Sequence, residues 1–187
     1  MLSGAKYEKE KVKNLQQISY IVSFISTVLG LCEPFGKKMK TILMFNFLGN
    51  LLVGISYLLV SSFSGTAICF VACVQVIINY LFNIQGKMLP KLLVAFHVVG
   101  FLGVNILTFR NWYDVLALAA SLLFVLSVAQ NNKKYYRFLF ASNSMLWILY
   151  DLLSKSYGNL FTHVVLFAAT LLARVVHDFR RDRQEIK

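Results

Sequence analysis

Apolar residues in this chain come in long unbroken runs. They do not alternate as in a half-buried strand, nor keep to one stripe as in a water-soluble helix. Charges, glycines and two prolines punctuate the runs. The pattern predicts helical spans at about 15–35, 41–61, 66–84, 91–109, 113–130, 137–154 and 159–178. Each is near the roughly 20 residues that carry a helix across a bilayer. The short alternating segments of a membrane β-barrel are absent. Connections are as brief as Ser62 to Gly65 and Ser156 to Gly158, so neighbouring helices must be antiparallel and in contact. The fold class expected is all-α: a polytopic membrane protein with seven transmembrane helices.

A second pattern lies on top of the first. The segment Gly49–Gly65, in span two and its exit loop, aligns without gaps on Ser142–Gly158, in span six and its exit loop. Asn50/Asn143, Ile55/Ile148, Tyr57/Tyr150, Leu59/Leu152, Ser61/Ser154 and Gly65/Gly158 are identical pairs. Upstream, Lys37-Lys38 answers Lys133-Lys134. Leucines match by chance in apolar runs, but Asn, Tyr and Gly at one spacing count for more. Spans two and six run the same way, so the two triplets should be parallel repeats about an axis along the membrane normal. The expected organisation is a polar tail (1–14), a first three-helix repeat (15–84), a linker helix (91–109), a second repeat (113–178) and a basic tail (179–187).

Composition agrees. Of 187 residues, 58% are hydrophobic and only 14% charged, against about a quarter charged in soluble domains. Seven crossings use about 140 residues, which leaves no room for a soluble domain. The net charge of +11 would suggest nucleic acid in a soluble protein. Here the basic residues sit between the apolar runs and read as topology signals and lipid-headgroup contacts. Nucleic acid is therefore excluded as a partner. Twelve Lys and Arg fall on one side, among them Lys37, Lys38, Lys133, Lys134, Arg180 and Arg181, and six on the other, among them Lys6, Lys9 and Arg110. The richer side should be cytoplasmic, with the C-terminus inside and the N-terminus outside.

Polar side chains in hydrocarbon cost free energy unless they pair or face water. Counted from the span ends, Asn50, Gln75 and Trp147 lie near the midplane, Asn143 and Asn79 somewhat nearer the cytoplasm, and Tyr57 and Tyr150 toward the outer side. Amides and an indole gathered at one depth can bind a small polar solute, the indole face stacking on a sugar or base. The plainer alternative is interhelical bonding at about 0.6 kcal/mol per contact. His163 and Asp151 share the outer side and are candidates for a proton relay. His97 and His163 differ in depth by roughly 15 Å, too far to hold one haem between them. Cys32, Cys69 and Cys73 have no zinc spacing and read as packing residues. No phosphate loop, carboxylate pair or metal-ligand cluster marks an enzyme, and no cofactor is expected. Ala169-x-x-x-Ala173 suits close helix packing, within one chain or in a homo-oligomer.

The short length, the basic loop before each second helix, Gly65 and Gly158 closing those helices, and the basic stretch from Arg174 to Arg183 together carry a resemblance. The chain resembles the SWEET and PnuC superfamily of small-solute transporters, and within it the YgjV-type bacterial inner-membrane proteins. The resemblance implies a 3+1+3 helix arrangement in the inner membrane. Trp147-Ile148-Leu149-Tyr150 matches the last Trp-x-x-Tyr of the PnuC sixth-helix motif that lines the solute site; Ser144 stands where an earlier Trp is expected. The SWEET-type hinge near the end of the first helix of each repeat corresponds here to Pro34 alone, with Gln130 in the matching place of the second half. The expectation is a facilitative transporter of a sugar-like or nucleoside-like solute. The alternative is a membrane scaffold or complex subunit that keeps the fold without transporting.

Overall fold

Seven α-helices account for nearly all of the backbone between Leu2 and Val176, the residues that the computed structural model describes, with side chains described from Glu10 on. They are α1 (Leu2–Leu31), α2 (Met39–Leu59), α3 (Phe63–Ile84), α4 (Lys91–Thr108), α5 (Asp114–Val128), α6 (Lys133–Ser154) and α7 (Tyr157–Arg174). The protein is all-helical, with ends close to those the hydropathy pattern predicts. Local chemistry explains several of them. Asn132 caps α6 by accepting the Lys134 N–H at 2.9 Å. The Asp114 carboxylate reaches back to the N–H groups of Arg110 and Asn111 at 2.8 and 2.9 Å, fixing the turn into α5. Pro90 precedes the first turn of α4.

Three expectations are corrected here. Helix α1 begins at Leu2, so the polar segment 1–14 continues the helix instead of forming a separate tail. It ends at Leu31, because Pro34 brings no N–H and Gly36 closes a turn on the Glu33 carbonyl at 3.0 Å. Pro34 thus lies in the turn after the helix, not inside it as a kink. Nor do Gly65 and Gly158 close the second helices: both sit in the first turns of α3 and α7. A Cβ on Gly65 would come within 2.9 Å of the Tyr57 ring, and one on Gly158 within 2.9 Å of Tyr20. Close approach, not chain reversal, requires glycine there. The reversals are made by Ser61 and Lys155, both left-handed at φ 58°.

Among the described residues, α2, α3 and α4 are long and apolar enough to cross a membrane. Helix α5 is equally apolar but has only 15 residues. Helices α1, α6 and α7 carry more polar positions; those in the first described turns of α1 are exposed, while deeper in the bundle polar side chains on several helices point inward. Ser23, Asn46, Gln75, Asn143, Asp151 and Thr170 are all buried. Leucine, isoleucine and phenylalanine occupy the outside instead, with Leu92 83% and Leu107 86% exposed on α4. A polar interior under an apolar surface suits a hydrocarbon solvent and would be unstable in water.

Helix α1 packs on α2 and α7, α2 on α3, α3 on α4 and α5, α5 on α4 and α6, and α6 on α7. Ser19 and Ser23 meet Ser56 while Ser26 meets Gly49, so α1 and α2 are antiparallel. Ser23 meets Asn159 and Thr27 meets Thr162, so α1 and α7 run together. Asn46 reaches Tyr136 and Tyr57 reaches Asp151, so α2 and α6 also share a direction. The tail 179–187, with Arg180, Arg181, Arg183 and Lys187 from the charge count, lies outside the described residues, as do the side chains of Lys6 and Lys9.

Candidate functional site

Between α2 and α6 lies a cavity of about 50 Å³, room for a few water molecules at about 10–15 Å³ each. Every helix except α4 contributes to its wall. Its polar lining includes Asn46, Asn50, Ser121, Asn143, Ser144 and His163 beside Trp147. The Asn143 Oδ1 is buried and has no hydrogen-bond partner among the described residues. An orphaned acceptor at a cavity wall costs about 1–3 kcal/mol unless water or a ligand meets it.

One end of the cavity is held by Glu33. Its Oε1 accepts from the Tyr136 hydroxyl and from Asn46 Nδ2 at 2.9 Å. Asn50 Nδ2 donates in turn to Asn46 Oδ1 at 2.9 Å, so an amide chain runs from this carboxyl into the cavity. Behind it, Arg137 Nε donates to the Pro34 carbonyl at 2.9 Å. The turn containing Pro34 is thereby tied to the start of α6.

The other end is held by Asp151, which is fully buried. Its Oδ1 accepts from the Tyr57 hydroxyl at 2.5 Å, and its Oδ2 lies 2.6 Å from His163 Nδ1. The His163 ring stacks on Trp147, centroids 5.7 Å apart and planes 13° from parallel. Tyr57 and Tyr150 flank the same indole at 5.9 and 5.3 Å. Beyond Tyr150 opens a depression of about 120 Å³, lined by Ser62, Arg110, Asp114 and Ser154. The Tyr57–Asp151–Tyr150 cluster therefore divides the central cavity from this depression.

A family model described as bacterial inner membrane protein matches residues 17–181. The chain belongs to the YgjV family of bacterial inner membrane proteins. No curated protein and no solved structure matches it. The matched stretch of this YgjV-family chain includes every residue that lines the cavity.

Of the residues singled out from sequence, Trp147, Asn50, Asn143 and His163 line the cavity. Tyr57, Tyr150 and Asp151 form the plug at the end opposite Glu33. Gln75 and Asn79 do not reach it. Gln75 turns to the Val125 carbonyl on α5 at 3.5 Å, and Asn79 lines a separate 10 Å³ space near Lys87 and Gln130. His97 sits on α4, away from the cavity, with both ring nitrogens unpartnered among the described residues. Sequence reasoning missed Glu33, Asn46 and Tyr136 as site residues. Asn46 carried a usable signal, since it precedes Asn50 by one helical turn and shares its face. Tyr136 sits beside Lys133, Lys134 and Arg137, a setting in which a phenol has an interfacial explanation.

Proposed function

We propose that this protein crosses the bacterial inner membrane seven times and carries a small, polar, sugar-like or nucleoside-like solute through the cavity between α2 and α6. The two triplets α1–α3 and α5–α7 act as parallel halves, with α4 as the linker, the N-terminus outside and the C-terminus in the cytoplasm. Three features support the halves. The neighbour pairs α1–α2, α2–α3 and α1–α7 correspond to α5–α6, α6–α7 and α3–α5 when the halves are exchanged. Equivalent helices α2 and α6 run the same way. Their repeat-matched residues Asn50 and Asn143 line one cavity.

The observation that carries the reading is that cavity. It contains buried amides, hydroxyls and an unpartnered acceptor, is walled by both halves, and is closed at each end by a tyrosine on a carboxyl group. Among the described residues no Lys or Arg lines it, which favours an uncharged solute over an anion. Its present volume is smaller than a sugar, so the solute enters when one end opens. Trp147 holds the middle of the path with one face covered by His163; its free edge and the amides are the contact surface.

The test is a thermal-shift screen of neutral sugars, nucleosides and vitamins on purified protein. A solute that stabilises the wild type and neither Trp147→Ala nor Asn143→Ala identifies class and site together. If no compound stabilises the protein and Ser144→Cys resists every aqueous thiol reagent, the scaffold reading takes its place.

A further inference from the structure

The central cavity touches an ionisable pair for which binding of a neutral solute has no need. Asp151 is sealed from solvent, and its two oxygens are held by Tyr57 and His163. His163 in turn lines the cavity, and its Nε2 has no protein partner among the described residues. The imidazole ring therefore stands between the cavity and the carboxyl group.

We propose that His163 and Asp151 form a proton-binding site opening on the cavity, and that a proton bound there travels with the solute. This rests on the transport reading above. The step is simple. A hydronium ion from the aqueous phase gives its proton to His163 Nε2; one O–H bond breaks, one N–H bond forms, and no electron moves. The pair goes from one negative charge to a neutral imidazolium–carboxylate. A neutral pair crosses a low-dielectric region at far smaller cost than a charged one. Loading also places a cation against the indole of Trp147, where its attraction to the ring face alters the wall that the solute meets.

Other ionisable groups surround the pair. Helix α2 presents Tyr57 and α3 presents Cys69, which also lines the cavity. Helix α6 presents Tyr150, with Tyr113 and Asp114 behind it at the start of α5. Helix α1 presents the hydroxyls of Ser23 and Thr27 to α7, at Asn159 and Thr162. Glu33 closes the far end. Among these, His163 is the group that both faces the cavity and holds Asp151.

Two measurements on the full chain test the proposal without knowledge of the solute. The first uses Trp112→Phe, which leaves Trp147 as the only tryptophan. Protonation of the stacked ring should quench its emission in one transition as pH falls. His163→Gln should abolish that transition, and Asp151→Asn should move its midpoint by about one pH unit or more. Emission independent of pH in Trp112→Phe, or a transition that persists in His163→Gln, overturns the proton site. The second uses Ser144→Cys, with Cys32, Cys69 and Cys73 replaced by Ser, in proteoliposomes treated with a membrane-impermeant maleimide. The labelling rate should change by about tenfold across the fluorescence midpoint, as for a two-state shift of that size, and lose its pH dependence in Asp151→Asn. Labelling at a rate indifferent to pH overturns the coupling while the transport reading survives. No labelling at any pH sinks the transport reading itself.

Discussion

Two buried tyrosines help to tie α6 to the α1–α2 segment. Tyr57 bonds to Asp151 and Tyr136 to Glu33, each pairing a phenol with a carboxyl group distant in the chain. Removing one hydroxyl strands a buried acceptor, at a cost of about 1–3 kcal/mol. Tyr57→Phe and Tyr136→Phe should each lower the thermal midpoint in detergent. Asp151→Asn, which removes the carboxylate yet can still accept from Tyr57, should cost less than Tyr57→Phe; the reverse order would mean that the phenol contributes nothing. Sequence showed part of this. Trp147, Asn50 and Asn143 stand out because a polar or indole side chain in an apolar run needs a reason. Depth could be counted at 1.5 Å per residue, but depth does not fix the direction in which a residue points. Gln75 shares the depth of Asn50 and Trp147 and still faces the Val125 carbonyl on α5. Glu33 and Tyr136 sit at span borders, where charge and phenol have an easy interfacial explanation.

The helices themselves were legible from the runs alone, since each apolar segment is long enough for only one kind of element. Their joints were not. Gly65 and Gly158 were visible as a repeat-matched pair, but their purpose depends on rings from other turns, Tyr57 and Tyr20. Gly65→Ala forces the Tyr57 ring to move and should destabilise by about 1–3 kcal/mol, as overpacking does. It should also weaken the Asp151 contact, visible as a larger loss than that of Tyr57→Phe alone. At the matching joint between α6 and α7, Lys155 holds φ 58° with no glycine to ease it. A side chain in that region costs about 1–2 kcal/mol, so Lys155→Gly should raise the thermal midpoint. A fall would show that the lysine side chain makes a compensating contact.

At the scale of the whole molecule, the inward turn of polar residues is what the 58% hydrophobic composition implies once the solvent is lipid. The orientation rests on basic residues partly beyond the described chain, and reporter fusions test it. A C-terminal fluorescent fusion should be bright in the cytoplasm, and an N-terminal alkaline phosphatase fusion active outside. The α1–α7 and α3–α5 contacts differ in kind. Along α1 and α7, Ser23 bonds to Asn159 and Thr27 to Thr162, both at 2.8 Å, with Ser19 and Ser23 tied to Ser56 at 2.7 Å. Along α3 and α5, the described residues show a single side-chain bond, the 3.5 Å contact of Gln75. Such a molecule is bound like a book: a stitched spine of hydroxyls on one margin, loose pages on the other. Its covers should part at the α3–α5 edge and pivot on the spine. A disulfide between Gln75→Cys and Val125→Cys should then lock the book shut, while one between Ser23→Cys and Asn159→Cys leaves it free to open.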